Sequence, residues 1–404
     1  MISVAEARSR ITAGLPVMAP ETVALADAFG RVLAEEVRAR VTQPPVAVSA
    51  MDGYAVRAAD VASAPTTLAQ IGEAPAGAAF AGVVGAGETV RIFTGAPMPE
   101  GADAVVIQED TAADAGRITM REPARPGQHV RPAGLDFSAG EVGIAAGRVL
   151  TARDVGLAAA MNVPWLAVRR RPRIALLATG DEIVRPGEPI GPNQIVSSNA
   201  LALAALVGAS GGEAIDLGIA ADEEGSLRTL AAGARGADML VTIGGASVGD
   251  HDLVREVLGE EGLELDFWRI AMRPGKPLLF GAIGATPVLG LPGNPVSSLV
   301  CGLIFLRPAI HGMLGLPASE APAASARLGA DLPENDARQD YLRSALERDA
   351  SGALVATPLK IQDSAMLSGL ARADCLVVRP PHAPAAKAGE PVDIIPLGPG
   401  LDGF

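Results

Sequence analysis

Between residues 172 and 315, short apolar runs alternate with stretches of helical periodicity. Residues 174–178, 214–219, 239–243, 263–270 and 287–291 read as strands. Residues 199–207, a segment capped by Asp222 and running to Ala234, a segment from Asp252, and the apolar residues 296–306 read as helices. Apolar runs of this length, separated by helices, argue for a mostly parallel sheet covered on both faces. The flanking regions differ. Residues 1–40 read as helical, with Asp27 as an N-cap before a helix over residues 28–37. A β-rich stretch follows, with strands expected at 66–71, 89–93, 104–108 and 117–120, punctuated by Gly and Pro. Residues 151–162 return to helix, with Thr151 as N-cap and Asp154 in the first turn, where the helix dipole favours an anion. Beyond residue 321 no convincing helix is expected. Strands at 341–347, 353–358, 375–379 and 392–396 suggest a small barrel or sandwich.

The pattern divides the chain into a helical part of residues 1–41 and 148–171, a β domain inserted at 42–147, an α/β domain at 172–318, and a C-terminal barrel or sandwich at 319–404. The length of 404 residues accommodates this division. So do the 47 glycines and 32 prolines, which call for many tight turns. A formal charge of −13 argues against a broad nucleic-acid or anionic-membrane surface, though not against a local basic pocket. With Cys301 and Cys375 as the two cysteines, neither a disulfide framework nor a cysteine metal site is expected, and the four histidines lack metal-ligand spacing. The N-terminus lacks a basic segment followed by an apolar one. The apolar stretch 155–168 is short and interrupted by Asn162 and Pro164, so a soluble, cytoplasmic protein is the expectation.

In open α/β sheets, ligands bind beyond the carboxyl ends of the strands. Here those ends lead into polar loops: 179–182 (Thr-Gly-Asp-Glu), Asp222, 244–252 (Gly-Gly-Ala-Ser-Val-Gly-Asp-His-Asp), 272–277 (Met-Arg-Pro-Gly-Lys-Pro) and 292–295 (Pro-Gly-Asn-Pro). Gly244 and Gly245 let backbone N–H groups approach an anion. Thr179 and Ser247 add hydroxyls, and Arg273 and Lys276 add positive charge. The carboxylates Asp181, Glu182, Asp222, Asp250 and Asp252 suit a phosphorylated ligand if Mg²⁺ bridges them to phosphate oxygens. Each piece also has an ordinary reading: Asp222 as a helix cap, 179–182 as a turn, the glycines as close packing. Their coincidence on one sheet edge favours a site. Residues 245–249 also fit the Gly-x-Ser-x-Gly nucleophile elbow, which would make Ser247 a hydrolase nucleophile. That reading needs a later histidine, and His311 ends an apolar helix while His382 sits in a proline-rich turn. The Walker A pattern is absent.

Outside this region, residues 49–55 (Ser-Ala-Met-Asp-Gly-Tyr-Ala) place Asp52 and Tyr54 beside a glycine, a strand end leads to Thr94, and residues 131–136 set Arg131 near Asp136. Arg343 and Ser364 are the polar residues to watch in the last section.

The segments SAMDGYA (49–55), RIFTGAPMPEGADAVVIQED (91–110), HVRPAGLDF (129–137), LATGDE (177–182), GGASVGDHD (244–252), WRIAMRPGKP (268–277) and GLPGNPVSS (290–298) stand in register. In this order they resemble the MoeA family of molybdopterin molybdenumtransferases, which includes the E domain of gephyrin. The resemblance implies a multi-domain α/β plus β fold of four domains: a helical N-terminal domain, an inserted β domain, a MogA-like α/β pterin-binding domain and a C-terminal β barrel. It also implies a homodimer, with the MogA-type molybdopterin adenylyltransferase and molybdoenzyme maturation proteins as further partners. The implied reaction takes adenylylated molybdopterin and molybdate, inserts molybdenum into the dithiolene and releases AMP, with Mg²⁺ as cofactor. By this likeness Asp52, Thr94 and Asp136 face the partner subunit, and Glu182, Asp222 and Asp252 line the nucleotide and metal side. Thr179, Gly244, Gly245, Ser247, Arg269 and Pro277 contact substrate, and Arg273, Lys276, Arg343 and Ser364 look like the molybdate pocket. Arg269 and Arg273 stand where many members carry Lys, and Ile243 and Ala246 replace the more usual Ser and Val. A pterin-binding scaffold without catalysis is the alternative.

Overall fold

A computed structural model describes residues 1–245, 253–317 and 324–398. The chain forms two compact units. One combines Met1–Glu21, Gly30–Val32 and the chain from Val168 onward; the other combines Thr22–Phe29 and Leu33–Ala167.

The first unit is built on a six-stranded sheet of β1 (Arg173–Thr179), β2 (Glu213–Ala220), β3 (Met239–Ile243), β4 (Leu263–Trp268), β5 (Leu279–Ile283) and β6 (Thr286–Leu291). The order is β2-β1-β3-β6-β5-β4. β2, β1, β3 and β6 pair in parallel. β5 runs against β6, and β4 runs against β5, so β4 points the same way as the parallel four. The sheet is thus mixed, yet every strand expected to end in a polar loop ends at the same edge. β5 was not expected. Gly281 interrupts its apolar run, and the glycine is required because a Cβ there would lie 2.4 Å from the carbonyl oxygen of Glu264 on β4.

Alternation along β1 explains why both faces are covered. Ile174 and Leu176 join a core with Leu203, Val207 and the long helix Pro295–Met313. Ala175 and Leu177 join a second core with Leu227, Val254 and Leu258 of the helices Glu224–Ala231 and Leu253–Glu260. The N-terminal helix Val4–Thr12 adds Val4, Ala7 and Ile11 to the first core, at the spacing that one helix face requires. The helix expected over 296–306 runs on to Met313 through a π-turn at Gly302–Leu306. Pro308 is the physical reason, since its missing N–H and bulky ring fit the wider turn better than an α-turn. This is the one described helix with the length and apolarity of a membrane span, and 78% of its apolar window is buried in the core.

The same unit carries a barrel of β7 (Ala324–Leu328), β8 (Gln339–Arg348), β9 (Leu354–Pro358), β10 (Cys375–Arg379) and β11 (Pro391–Pro396). It closes in the order β8-β9-β7-β11-β10, with β10 returning to β8. β7 and the short helix Leu367–Ala371 were not foreseen. The short strand Met272–Arg273 pairs in parallel with the start of β8, tying a sheet-edge loop to the barrel.

In the second unit, a six-stranded sheet joins Ala104–Ile107, Gly53–Val56, Glu88–Ile92, Thr66–Ala74, Arg117–Met120 and Thr111–Asp114 in that order. Its four expected strands all form, with small shifts at their ends. The helix expected after Asp27 does not. Leu25–Asp27 is a single 3-10 turn, Gly30 takes φ +71°, and Val37–Arg38 is a strand. The left-handed glycine ends any helical path. Extended pairing satisfies the backbone instead, as where the Leu33 N–H donates to the Arg148 carbonyl at 2.9 Å.

The helix Ala152–Ala160 forms as expected, with a capping box: Thr151 accepts from the Asp154 N–H, and the Asp154 carboxylate accepts from the Thr151 N–H at 2.8 Å. Arg148 pairs with the same carboxylate at 2.9 Å. Thr151→Ala is expected to lower stability by about 1 kcal/mol in chemical denaturation followed by circular dichroism. A change within error would show that the box is not stabilising the helix.

Candidate active site

The co-directional strands deliver their loops to one cavity of about 840 Å³ at the sheet edge. Of the expected site residues, Thr179, Glu182, Asp222, Gly244, Gly245 and Pro277 line it. Asn199 and Asn294 line it too, and neither was singled out from the sequence. Asn294 in a Gly-Pro loop reads as turn chemistry and Asn199 as the start of a helix, and the contacts of either are visible only in three dimensions.

Hydrogen bonds and close packing connect these loops. The Gly244 N–H donates to the Leu291 carbonyl at 3.1 Å, and Asn199 donates to the Gly293 carbonyl at 2.7 Å. The Asp222 N–H donates to the Asp181 carboxylate at 3.1 Å. Asp222 is therefore not the helix cap expected of it. Glu223 holds the N-cap position, and Ser226 serves the turn by accepting from the Ala221 N–H at 3.0 Å. Freed from capping, the exposed carboxylate of Asp222 borders the cavity.

The glycines of the β3 loop are needed for sterics as well as conformation. Gly244 and Gly245 take φ +90° and +66°. A Cβ on Gly244 would meet the Thr179 carbonyl at 3.0 Å, and one on Gly245 would meet Val254 at 2.2 Å. Backbone rather than side chain therefore faces the Thr179 hydroxyl. Ser247 and Asp252 belong to the same loop and lie outside the described residues. The cavity's other wall is apolar. Ile183–Val184 and Ile195–Val196 pair in parallel to form a small flap, and Ile195 is 63% exposed.

The remaining expected residues fall near this edge with distinct partners. Ser364, just after β9, accepts from the Asn294 amide at 2.9 Å, and its carbonyl accepts from the Val296 N–H at 3.0 Å. Arg343, on β8, is 1% exposed. It donates to Gln362 at 3.2 Å and to the Asp363 carbonyl at 2.7 Å. Its burial pushes the guanidinium pKa below its usual value. Arg269 takes φ +89°, and its guanidinium stacks 4.2 Å from the Trp268 ring centre. Its buried Nε has no hydrogen-bond partner among the described residues. Arg273 is held by Asp340, Asp336 and Asn335. Lys276 is exposed and forms no ion pair among the described residues. His311 is not near the edge: it lies toward the far end of the Pro295–Met313 helix, part-buried, and burial holds its pKa down at about 4.

In the second unit, three motif segments come together. The Ser49 N–H donates to the Ala96 carbonyl at 2.9 Å, and the Ala50 N–H donates to the His129 carbonyl at 2.8 Å. The Asp52 carboxylate accepts from both the N–H and the hydroxyl of Thr94, each at 2.7 Å. Arg91 stacks 5.0 Å from both Tyr54 and Phe93. Asp136 is exposed in a separate turn, its N–H donating to the Gln43 carbonyl at 3.0 Å.

Comparisons with known proteins agree along the chain. Residues 2–162 match the MoeA N-terminal region (domain I and II), residues 175–312 a probable molybdopterin binding domain, and residues 325–397 the MoeA C-terminal region (domain IV). Molybdopterin molybdenumtransferase 2 of Mycobacterium tuberculosis is 37% identical over 341 residues, covering 82% of this chain and 84% of that protein. The chain belongs to the MoeA family. A second relative, molybdopterin molybdenumtransferase of Haemophilus influenzae, is 34% identical over 401 residues, covering 98% of this chain and 99% of its own. The solved structure of a molybdopterin biosynthesis MoeA protein from Pyrococcus horikoshii superposes with a TM-score of 0.86 at 32% identity, covering 99% of this chain and 100% of that one.

The Thr94 contacts hold the Asp52 carboxyl below its ordinary value, the backbone N–H first and the hydroxyl second. A folded-state pKa below the unfolded one stabilises the fold above the ordinary carboxylate pKa. That contribution is lost as pH falls through the depressed value. Thr94→Ala removes the hydroxyl and keeps the N–H. The Asp52 pKa, followed by NMR titration, is expected to rise yet stay below the ordinary carboxylate value. An unchanged pKa would show that the hydroxyl bond is not part of the cause.

Proposed function

We propose that this member of the MoeA family takes molybdate and adenylylated molybdopterin, inserts molybdenum into the dithiolene, and releases AMP. The observation that carries the reading is the shared cavity, where glycine backbone, hydroxyl, carboxylate and apolar flap converge at the ends of co-directional strands. The names of the relatives support the same activity.

The chemistry divides along the walls. The flap residues Ile183, Ile195 and Val196 offer an apolar surface suited to a flat heteroaromatic ring, whose burial would cover side chains now open to water. The backbone beside Gly244 and Gly245, with the Thr179 hydroxyl, suits phosphate oxygens. Lys276, next in the chain to the lining residue Pro277, supplies a compact positive charge suited to a tetrahedral oxyanion.

Glu182 and Asp222 fit Mg²⁺, which is typically held by one or two carboxylates together with substrate phosphates. Asp252 is the third carboxylate in this reading. When bound, Mg²⁺ would neutralise charge on the phosphoanhydride. The exposed Glu182 carboxylate lies over Gly180, where a Cβ would sit 2.1 Å from it.

The same proposal takes the protein to act as a cytoplasmic homodimer. The segments carrying Asp52, Thr94 and Asp136 face the partner's site, and substrate arrives from a MogA-type adenylyltransferase. The four-domain division outlined from the sequence belongs to this reading.

Purified protein supplied with molybdate, Mg²⁺ and adenylylated molybdopterin is expected to release AMP, measured by chromatography. Glu182→Gln and Lys276→Ala should each slow release roughly a hundredfold, the scale seen when one preorganised electrostatic group is lost. Their circular dichroism should match the parent. No AMP from the parent protein would refute the activity.

A further inference from the structure

Arg273 and Lys276 lie three residues apart on one loop, and both were expected to hold the oxyanion. The structure separates them. All three guanidinium nitrogens of Arg273 already face oxygen acceptors. Nε donates to Asp340 at 2.8 Å, and one terminal nitrogen completes a two-point pair with the same carboxylate. That nitrogen also reaches Asn335 at 3.3 Å, and the other reaches Asp336 at 3.4 Å. Asp340 is 4% exposed and Asn335 7%. Asn335 is itself fixed, its amide donating to the Arg338 and Pro380 carbonyls at 2.8 Å each.

Arg338 pairs with Asp336 at 2.7 Å, so two carboxylates and two guanidiniums offset one another and little positive charge is left over at Arg273 for an incoming dianion. The pairing uses what distinguishes Arg from Lys. A planar guanidinium matches a carboxylate at two points, and a Lys ammonium cannot.

The backbone shows what the pair holds. Met272 and Arg273 pair with Gln339 and Asp340 at the start of β8. The loop then closes on itself, with the Ile270 N–H donating to the Lys276 carbonyl and the Arg269 N–H to the Leu278 carbonyl, each at 3.1 Å. Inside it, Gly275 takes φ +110° against Cys301, where a Cβ would lie 2.4 Å from Sγ. Lys276 is thus fixed through its main chain while its ammonium stays free of ion pairs among the described residues.

We propose that Asp340 is a positioning residue. By clamping Arg273 it sets the loop that aims Lys276, and Lys276, rather than Arg273, is the loop's cation for the tetrahedral oxyanion. This rests on the oxyanion-using activity proposed above.

The test is calorimetric titration of the full-length protein with sodium molybdate and, separately, with AMP, alongside the AMP-release assay. Asp340→Asn and Arg273→Lys should each weaken molybdate binding about tenfold and leave AMP binding unchanged. The double variant should be no worse than either single one, because both break the same pair. Lys276→Ala should weaken molybdate binding more than either. If Asp340→Asn does not fold, Arg273→Lys carries the test, since that side chain is 46% exposed. The proposal is overturned if both single variants bind molybdate as the parent does. It is also overturned if Arg273→Lys loses molybdate binding while Asp340→Asn keeps it, which would make Arg273 a direct ligand. A parent protein that binds molybdate but releases no AMP would sink the activity and leave the positioning role standing.

Discussion

The common direction of five strands in one sheet is the constraint on which the site depends. β2, β1, β3 and β6 are parallel neighbours, and β4 regains that direction after β5 reverses it. A single reversal in the wrong place would send the Arg273–Lys276 loop to the opposite edge, away from Thr179 and the glycines. The hairpin between β5 and β6 is therefore functional geometry: it lets β4 join the sheet beyond an antiparallel strand and still deliver its loop to the cavity. The two cores on either side, fed alternately by successive residues of β1, hold that arrangement rigid.

Polar contacts then refine what the strands deliver. The edge loops are tied to one another through main-chain groups and a few side chains, Asp181, Asn199 and Asn294 among them, leaving other carboxylates available for chemistry. Asp222 shows this best, since its N–H is used by Asp181 while its carboxylate stays exposed. The barrel contributes by the same principle. Ser364 grips the Asn294 loop, and β8 carries Asp340 and the buried Arg343 three residues apart, so one strand supports both the Arg273 pair and the contacts to residues 362 and 363.

Much of this was legible in the chain itself. Short β-branched runs between glycine turns marked the strands, and Thr151 with Asp154 marked a helix start, because these signals are local. β5 escaped because a strand needing glycine for close approach resembles a loop. The false helix after Asp27 arose because helical composition ignores the left-handed Gly30 and the extended pairing beyond it. At the site, the glycines and Thr179 were legible because their chemistry is local. The engagement of Arg273 was not, since Asp340, Asp336 and Asn335 lie more than 60 residues away and their approach depends on how the barrel docks.

The most direct measurement of the central claim is a crystal structure of the protein soaked with AMP and molybdate. Nucleotide density bounded by Thr179, Gly245, Asn294 and the Ile195 flap, with an oxyanion beside Lys276, is the predicted result. Ligand bound at another surface, with the sheet-edge cavity filled only by solvent, would contradict the account.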